Sequence, residues 1–120
     1  MSVSRETLTA LGSRYELEQE AAERLVLLLE ALAAEPDPPT TQHTPSAALD
    51  AHVADSLSGL ELAPVRAARR IADLGAGAGF PGLVLAIALP SARVDLIESA
   101  GRKAAVIDRL ATAARVENAR

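Results

Sequence analysis

A cluster of closely spaced glycines is the feature of this sequence that most constrains its fold. Gly75, Gly77 and Gly79 alternate with alanines, and Gly82 follows three residues later. The cluster directly follows a short apolar run, residues 70–74, which predicts a buried strand. Glycine adopts positive φ without strain and lets a ligand come close to the main chain. A strand that ends in such a cluster and leads into a helix is the context that a nucleotide-binding loop requires.

The segments after the cluster alternate between helix and strand patterns. Residues 81–89 are predicted to form a helix with Pro81 at its first position, where a missing N–H has no cost. A second strand is predicted over 93–98. A further helix is predicted over 101–115, with an inward face that comprises Ala105, Val106, Leu110 and Ala113 or Ala114. This order predicts an α/β fold in which the two strands pair in parallel through a right-handed crossover.

The preceding residues have helical periodicity instead. One helix is predicted over 14–34, and its apolar face comprises Leu17, Ala21, Leu25, Leu28, Leu29 and Leu32. A Pro-rich connector follows over 35–45. Ser46 is predicted to cap a second helix, with an apolar face that comprises Leu49, Val53, Leu57 and Leu60. We therefore expect a helical N-terminal extension over 1–64 and an α/β part over 65–120.

The composition excludes several classes of protein. The length of 120 residues suffices for one domain, and an apolar fraction of 49% is too high for a disordered chain. With no cysteine and two histidines, a disulfide framework and a structural zinc site are excluded. The net charge of −4 and the aromatic content of 2% argue against avid, nonspecific nucleic-acid binding and against a base-stacking platform. Neither a signal-peptide pattern nor a membrane-spanning run is found, so a cytoplasmic protein without a membrane partner is expected.

The glycine spacing fits two kinds of ligand. Gly77, Gly79 and Gly82 have the spacing of a dinucleotide fingerprint. Gly75, Gly77 and Gly79, with Asp73 two residues before them, have the pattern of S-adenosylmethionine-dependent methyltransferases. A carboxylate at the end of the strand repels a pyrophosphate but attracts the ammonium and sulfonium groups of S-adenosylmethionine. The methyl donor is therefore favoured, while a dinucleotide and a purely structural turn stay open.

Two further predictions concern the surroundings of this loop. Glu98, at the end of the second strand, can accept hydrogen bonds from both hydroxyls of a ribose, which either ligand carries. Phe80 offers no oxygen to cap the helix that follows. The N–H groups of Gly82 and Leu83 are therefore expected to be free for an anion or water.

Several polar residues outside the loop are interpreted as structural. His52 and Asp55 lie three residues apart on one helix face, and a polar pair with a packing role is favoured over a site. Arg66, Arg69 and Arg70 precede the first strand, and a solvated segment is favoured over contacts with RNA phosphates.

Beyond these patterns, the sequence resembles a known family. The resemblance is carried by His52, Asp55 and Leu57, by the loop 73–82 and by the segment 96–103. These stretches are similar to the glucose-inhibited division protein B family, which comprises bacterial methyltransferases of small-subunit (16S) ribosomal RNA that act on guanine N7. The resemblance implies an N-terminal helical part followed by the first β-α-β-α of a Rossmann-like S-adenosylmethionine-dependent methyltransferase sheet. It also implies ribosomal RNA or the small ribosomal subunit as the partner.

The same resemblance assigns site residues. It implies a cofactor site for S-adenosylmethionine that comprises Asp73, Gly75, Gly77, Gly79, Phe80 and Glu98. Gly75 and Phe80 would contact the cofactor, and Glu98 would hold its ribose. Guanine N7 carries a lone pair and no proton, so no general base is required. No catalytic side chain and no metal are therefore predicted.

The sequence departs from the family at three places. The Pro-rich connector replaces a Trp-Asn and an Asn-Leu-Thr segment, and Ala51 replaces a basic residue. Residues 116–118 match the approach to the third strand, whereas the family's third strand, the rest of its sheet and a later cofactor-contacting arginine have no counterpart in these 120 residues. An alternative interpretation is therefore a truncated, inactive relative that associates with itself through an open sheet edge.

Overall fold

A helical half is followed by a half built on two strands. The structure, a computed structural model, describes residues 5–36 and 44–120. The helical half comprises α1 (Arg5–Arg14), α2 (Gln19–Ala34), α3 (Pro45–Ala48), a π-helical segment (Leu49–Ala54), α4 (Asp55–Ser58), a 3₁₀ turn (Gly59–Glu61) and α5 (Ala63–Arg66). The sheet half, residues 70–120, comprises β1 (Arg70–Leu74), α6 (Gly82–Ala88), β2 (Arg93–Ile97) and α7 (Gly101–Ala113).

The prediction of a single helix over 14–34 is wrong at its start, because α1 ends at Arg14 and α2 begins at Gln19. The chain reverses between α1 and α2, with Glu16 at a positive φ of 55°. The guanidinium of Arg66 donates to the carbonyl oxygen of Tyr15 at 2.8 Å, and the Tyr15 hydroxyl donates to the Glu61 carboxylate at 2.9 Å. These contacts come from residues far along the chain, so the local periodicity did not reveal the break.

The second predicted helix exists, but it is irregular. Its four predicted inward residues are all buried: Leu49, Val53, Leu57 and Leu60. The helical run begins at Pro45, so Ser46 lies inside α3 and not at the cap as predicted. Only the ends of the predicted Pro-rich connector are described, and residues 37–43 lie outside the described residues.

The two strands pair in parallel, as predicted. Arg70 lies opposite Arg93, and Leu74 lies opposite Ile97. The end of the chain joins the other side of β2, because the Val94 N–H donates to Asn118 at 2.9 Å and the Leu96 N–H donates to Arg120 at 2.7 Å. The approach to a third strand, expected from the resemblance, is therefore present as a parallel bridge.

The prediction of a buried first strand is wrong for one of its faces. Successive side chains of a strand point to opposite faces of the sheet. Ile71 and Asp73 are half-buried on the face that packs against α6, whereas Leu74 on the other face is 75% exposed. Ile97, its neighbour in β2, is 51% exposed. No described residue covers that second face.

Helix α6 is the most buried element, and it is held at both ends. All seven of its residues are buried, from Gly82 to Ala88. Pro81 is the residue before the helix and not its first residue, a correction of one position. At the other end, the side-chain amide of Asn118 donates to the carbonyl oxygens of Ala86 in the last turn (2.9 Å), Leu89 at the end of the helix (3.1 Å) and Ala92 in the turn that follows (2.8 Å). Asn118 thereby joins the third-strand segment to α6.

Helix α7 packs against α2, and this contact connects the two halves. Val106 and Leu110 are buried as predicted, whereas Ala105 and Ala113 are exposed. Ala114, the other of the two alternatives predicted for the end of this face, is buried, and Ile107 takes an inward position that was not predicted. The buried apolar residues form one cluster that extends from Leu8 in α1 to Ala114 after α7. Because both halves contribute to this cluster, the predicted division of the chain at residue 64 stays a prediction.

Among the described residues, no helix is long and apolar enough to cross a membrane.

Candidate cofactor-binding site

The glycine loop lies at the carboxyl edge of the two parallel strands. Three glycines in it have left-handed φ values, 68° at Gly75, 57° at Gly77 and 93° at Gly79. The N–H groups of Gly75 and Ala76 both donate to the carbonyl oxygen of Ile97, at 2.8 Å and 3.1 Å. These hydrogen bonds connect the loop to the end of β2. The three glycines have backbone conformations that other residues adopt only with strain.

Asp73 binds the loop that it precedes. Its Oδ2 accepts a hydrogen bond from the N–H of Gly82 at 3.0 Å, across the whole glycine loop. Burial raises the pKa of this carboxyl group, and the hydrogen bond from Gly82 partly opposes that rise. The Asp73 carboxylate is thus poorly solvated, and a cation placed nearby would stabilise its charged form.

Glu98 has both carboxylate oxygens engaged with the main chain. Oε1 accepts from the N–H of Gly77 at 2.8 Å, and Oε2 accepts from the N–H of Ala100 at 3.0 Å. The hydrogen bonds from Ala100 and Gly77 lower the pKa of Glu98. Glu98 therefore lies beside the loop and binds the main chain there, and its predicted role in holding a ribose stays a prediction.

The prediction that the N–H groups of Gly82 and Leu83 are free for an anion is wrong. Gly82 donates to Asp73, and Leu83 donates to the carbonyl oxygen of Gly79 at 2.7 Å. The N–H of Gly79 is also used, because it donates to Ala76 at 2.8 Å. No local pattern indicates this contact, because the Asp73 side chain that binds the start of the helix lies nine residues earlier in the chain.

The glycines of the loop are needed for two different reasons. A Cβ built on Gly79 would lie 2.5 Å from a methyl carbon of Leu83, and one built on Gly82 would lie 2.2 Å from a methyl carbon of Leu96. These two glycines allow close packing inside the protein. A Cβ on Gly75 would meet nothing within 4 Å, so the main chain there faces open space. A ligand can therefore approach the backbone at Gly75.

Phe80 faces away from this space, toward the helical half. Its ring is stacked on the imidazole of His52, with ring centroids 4.6 Å apart and an angle of 15° between the planes. Together the two rings line a cavity of about 440 Å³ that also includes Asp55, Ser58 and Pro81. The stacking of His52 on Phe80 was not predicted, because 28 positions of sequence separate the two rings. The predicted pairing of His52 with Asp55 stays a prediction.

The arginines before β1 differ in their surroundings. Arg66 is not simply solvated, because it binds the Tyr15 carbonyl and forms an ion pair with Glu16 at 3.1 Å. Arg69 and Arg70 are exposed. A second cavity, of about 530 Å³, lies beside Arg66 and Arg69 and is also lined by Tyr15 and Ser91. It lies at the amino end of the strands, opposite the glycine loop.

The fold and this edge define a protein of mixed helices and strands, with a parallel two-stranded sheet and a glycine loop between its strands. Comparison with known families agrees: the sequence profile of the GidB family, described as rRNA small subunit methyltransferase G, matches residues 12–120. The match covers most of the chain, and the chain therefore belongs to this family.

Curated relatives carry the same name. A protein called ribosomal RNA small subunit methyltransferase G from Rubrobacter xylanophilus is 57% identical over 60 residues, which are 50% of this chain and 23% of the relative. Proteins of the same name from Prochlorococcus marinus (strain MIT 9313) and Methylobacterium sp. (strain 4-46) are 55% and 53% identical. Those matches cover 42% and 50% of this chain and 21% and 29% of the relatives. The matched segments thus span about a quarter of the length of these relatives.

Proposed function

We propose that the open face of the glycine loop binds S-adenosylmethionine, in a site comprising Asp73, Gly75, Gly77, Gly79, Glu98 and, through its main chain, Phe80. In this proposal the sheet half is the beginning of a Rossmann-like methyltransferase sheet. The observation that carries the proposal is that carboxylates of this chain already accept hydrogen bonds from N–H groups of the loop. Those of Gly77 and Gly82 are bound to the Glu98 and Asp73 carboxylates.

This arrangement favours a cationic ligand over a pyrophosphate. A dinucleotide site needs free N–H groups that point at phosphate oxygens, and a helix N-terminus usually supplies them. Here two carboxylates accept those N–H groups, and the segment 73–82 contains no lysine or arginine. The negative charge that remains at this edge suits the ammonium and sulfonium groups of the methyl donor.

Three residues of the site have distinct roles in the proposal. Gly75 leaves the main chain open to the ligand, because a side chain there would occupy the free space. Asp73 attracts the positive charge of the ligand while it holds the start of α6. The Glu98 oxygens keep lone pairs beyond the hydrogen bonds to Gly77 and Ala100, and these can accept from ribose hydroxyls.

The bound donor supplies an electrophilic methyl group on a sulfonium. The acceptor in this proposal is the N7 of a guanine in small-subunit (16S) ribosomal RNA. The names of the relatives and the family description support the small-subunit RNA, and the guanine N7 follows from the resemblance stated above. Because N7 carries no proton, the residues of this chain contribute binding, orientation and exclusion of water, and none acts as a general base. A ribosomal RNA partner and a cytoplasmic location belong to the same proposal.

Calorimetric titration tests the donor site. We expect the chain to bind S-adenosylmethionine in preference to NAD. The substitution Asp73→Asn keeps an oxygen for the Gly82 N–H but removes the charge, so the affinity for the donor should fall by about tenfold or more. The affinity of the unsubstituted chain should also fall as the pH falls through the raised pKa of Asp73, since protonation removes the same charge.

Asp108→Asn is the matched control, because Asp108 is an exposed residue of α7. It should leave the affinity unchanged. Tighter binding of NAD, or an Asp73→Asn variant that binds the methyl donor as well as the unsubstituted chain, would contradict the proposal. Transfer is tested separately with isotopically labelled donor and small-subunit RNA, where methylation at guanine N7 makes the strand cleavable by borohydride and aniline. Donor binding without transfer would favour the alternative of an inactive relative.

A further inference from the structure

The cavity between the helical half and the start of α6 has no role in donor binding. It is lined by the stacked rings of His52 and Phe80, by Asp55 and Ser58, and by apolar parts of Val65 and Leu85. Its volume, about 440 Å³, lies within the range of sites that hold small organic molecules. The glycine loop and this cavity meet at Phe80, whose main chain belongs to the loop and whose ring belongs to the cavity.

From this geometry we infer that the cavity receives the purine base of the methyl acceptor, and that Asp55 selects guanine. The inference rests on the proposed function, because a base in this cavity lies next to the loop that would hold the methyl donor. An enzyme that modifies a base must first take it out of its stack and hold it between flat or apolar side chains. The parallel His52–Phe80 pair presents such a flat surface.

The charge of the cavity identifies which part of a nucleotide it suits. Asp55 is the one acidic residue among those lining the cavity, and no lysine or arginine is present there. A carboxylate disfavours a phosphate, which therefore is not the occupant. It favours a neutral group that donates hydrogen bonds.

Guanine offers such a group. Its N1–H and 2-amino group are adjacent donors on one edge, and a carboxylate with two oxygens can accept from both. Adenine has no such pair, because its N1 is an acceptor. With that edge bound to Asp55, the N7 side of guanine lies at the opposite end of the base, away from the carboxylate. A guanine oriented in this way leaves N7 free to receive the methyl group.

Nuclear magnetic resonance titration tests the inference directly. The chain has one phenylalanine and one tyrosine, so the ring signals of Phe80 and Tyr15 need no further assignment. A His43→Gln variant assigns the His52 signal. The probes are guanosine, inosine and adenosine, which lack phosphates, added with and without S-adenosylhomocysteine. We expect guanosine to shift the Phe80 and His52 signals, to leave Tyr15 unchanged, and to bind more tightly than inosine and more tightly still than adenosine.

Three variants sharpen the result. Asp55→Asn should reduce the preference for guanosine over adenosine by roughly tenfold, the discrimination of one bidentate pair. His52→Ala should weaken all three nucleosides alike, because it removes the flat surface. Asp108→Asn should change neither property. A denaturation curve for each variant checks that it is folded.

Several results would overturn the inference: equal binding of guanosine and adenosine, shifts at Tyr15 without shifts at Phe80 and His52, or no shifts at all. The donor titration is read separately, through calorimetry. If S-adenosylmethionine binds and guanosine does not reach the cavity, the inference fails and the proposed function stands. If guanosine shifts both rings while the methyl donor does not bind, the proposed function fails and the cavity remains a purine site.

Discussion

The two halves of the molecule differ in how far their large apolar side chains are buried. In α2, Leu25, Leu28 and Leu29 are fully buried, enclosed by the other helices. In the sheet, Leu74 and Ile97 lie side by side and more than half of each side chain is exposed. Apolar residues thus support a closed core in one half and a bare surface in the other.

The difference follows from the geometry of the two kinds of element. A helix has one apolar stripe, and α2 packs that stripe against its neighbouring helices, including α6 and α7 of the sheet half. A strand has two faces, and the described residues cover one of them with helices. The stability of the described chain should therefore depend mainly on the helical contacts, while ligand binding depends on the carboxyl edge of the sheet.

The largest expected effect on stability comes from the same substitution, leucine to alanine, made once in each half. Leu28→Ala removes a fully buried side chain and should lower the free energy of unfolding by about 2–5 kcal/mol. Leu74→Ala removes a side chain that is 75% exposed, and the change should stay within about 0.5 kcal/mol. Urea denaturation followed by circular dichroism measures both. Equal losses in the two variants would show that the bare face is covered in solution, for instance by a second copy.

A pair of glycine substitutions gives an effect of intermediate size. Gly82→Ala places a methyl group 2.2 Å from Leu96 and 2.8 Å from the Asp73 carboxylate, so the stability should fall by about 1–3 kcal/mol. Gly101→Ala, at the start of α7, meets nothing within 4 Å and should be neutral or slightly stabilising. Thermal unfolding of both variants makes the measurement. A tolerated alanine at residue 82 would mean that the contact between Asp73 and the start of α6 is not as close as described.

The smallest expected effect concerns the Glu98 carboxylate and its dependence on pH. The folded state lowers the pKa of Glu98, so its charged form stabilises the fold above the usual value of 4.5, and this contribution is lost as the pH falls through the lowered pKa. Glu98→Gln should therefore lower the melting temperature modestly at pH 7 and have a diminishing effect below pH 4.5.

Glu117→Gln provides the control for that measurement, because Glu117 is an exposed residue at the far end of the sheet half. Its melting temperature should match that of the unsubstituted chain at both pH values. Asp73 has the opposite sign: its raised pKa means that protonation favours the folded state, so its contribution grows as the pH falls. A Glu98→Gln effect that persisted unchanged at low pH would contradict the role given to the Glu98 charge.

Much of the architecture was predictable because it rests on local patterns. The strand at 70–74, the parallel second strand and the buried faces of the helices follow from periodicity and from glycine and proline positions. The break between α1 and α2 was not predictable, since it depends on Arg66 and Glu61 reaching back to Tyr15. Asn118 is a similar case, because its three acceptors lie 26 to 32 residues earlier in the chain.

The sequence by itself determined that a glycine loop with two acidic residues lies between two parallel strands, because short-range spacing decides strands, turns and their order. Only the tertiary structure decided which partners those acidic residues take. Asp73 and Glu98 bind the loop's own N–H groups, and Phe80 turns to His52, because folding brings together groups that no local pattern relates. Hydrogen bonds and ring stacking act over a few ångströms of space, whatever the distance along the chain.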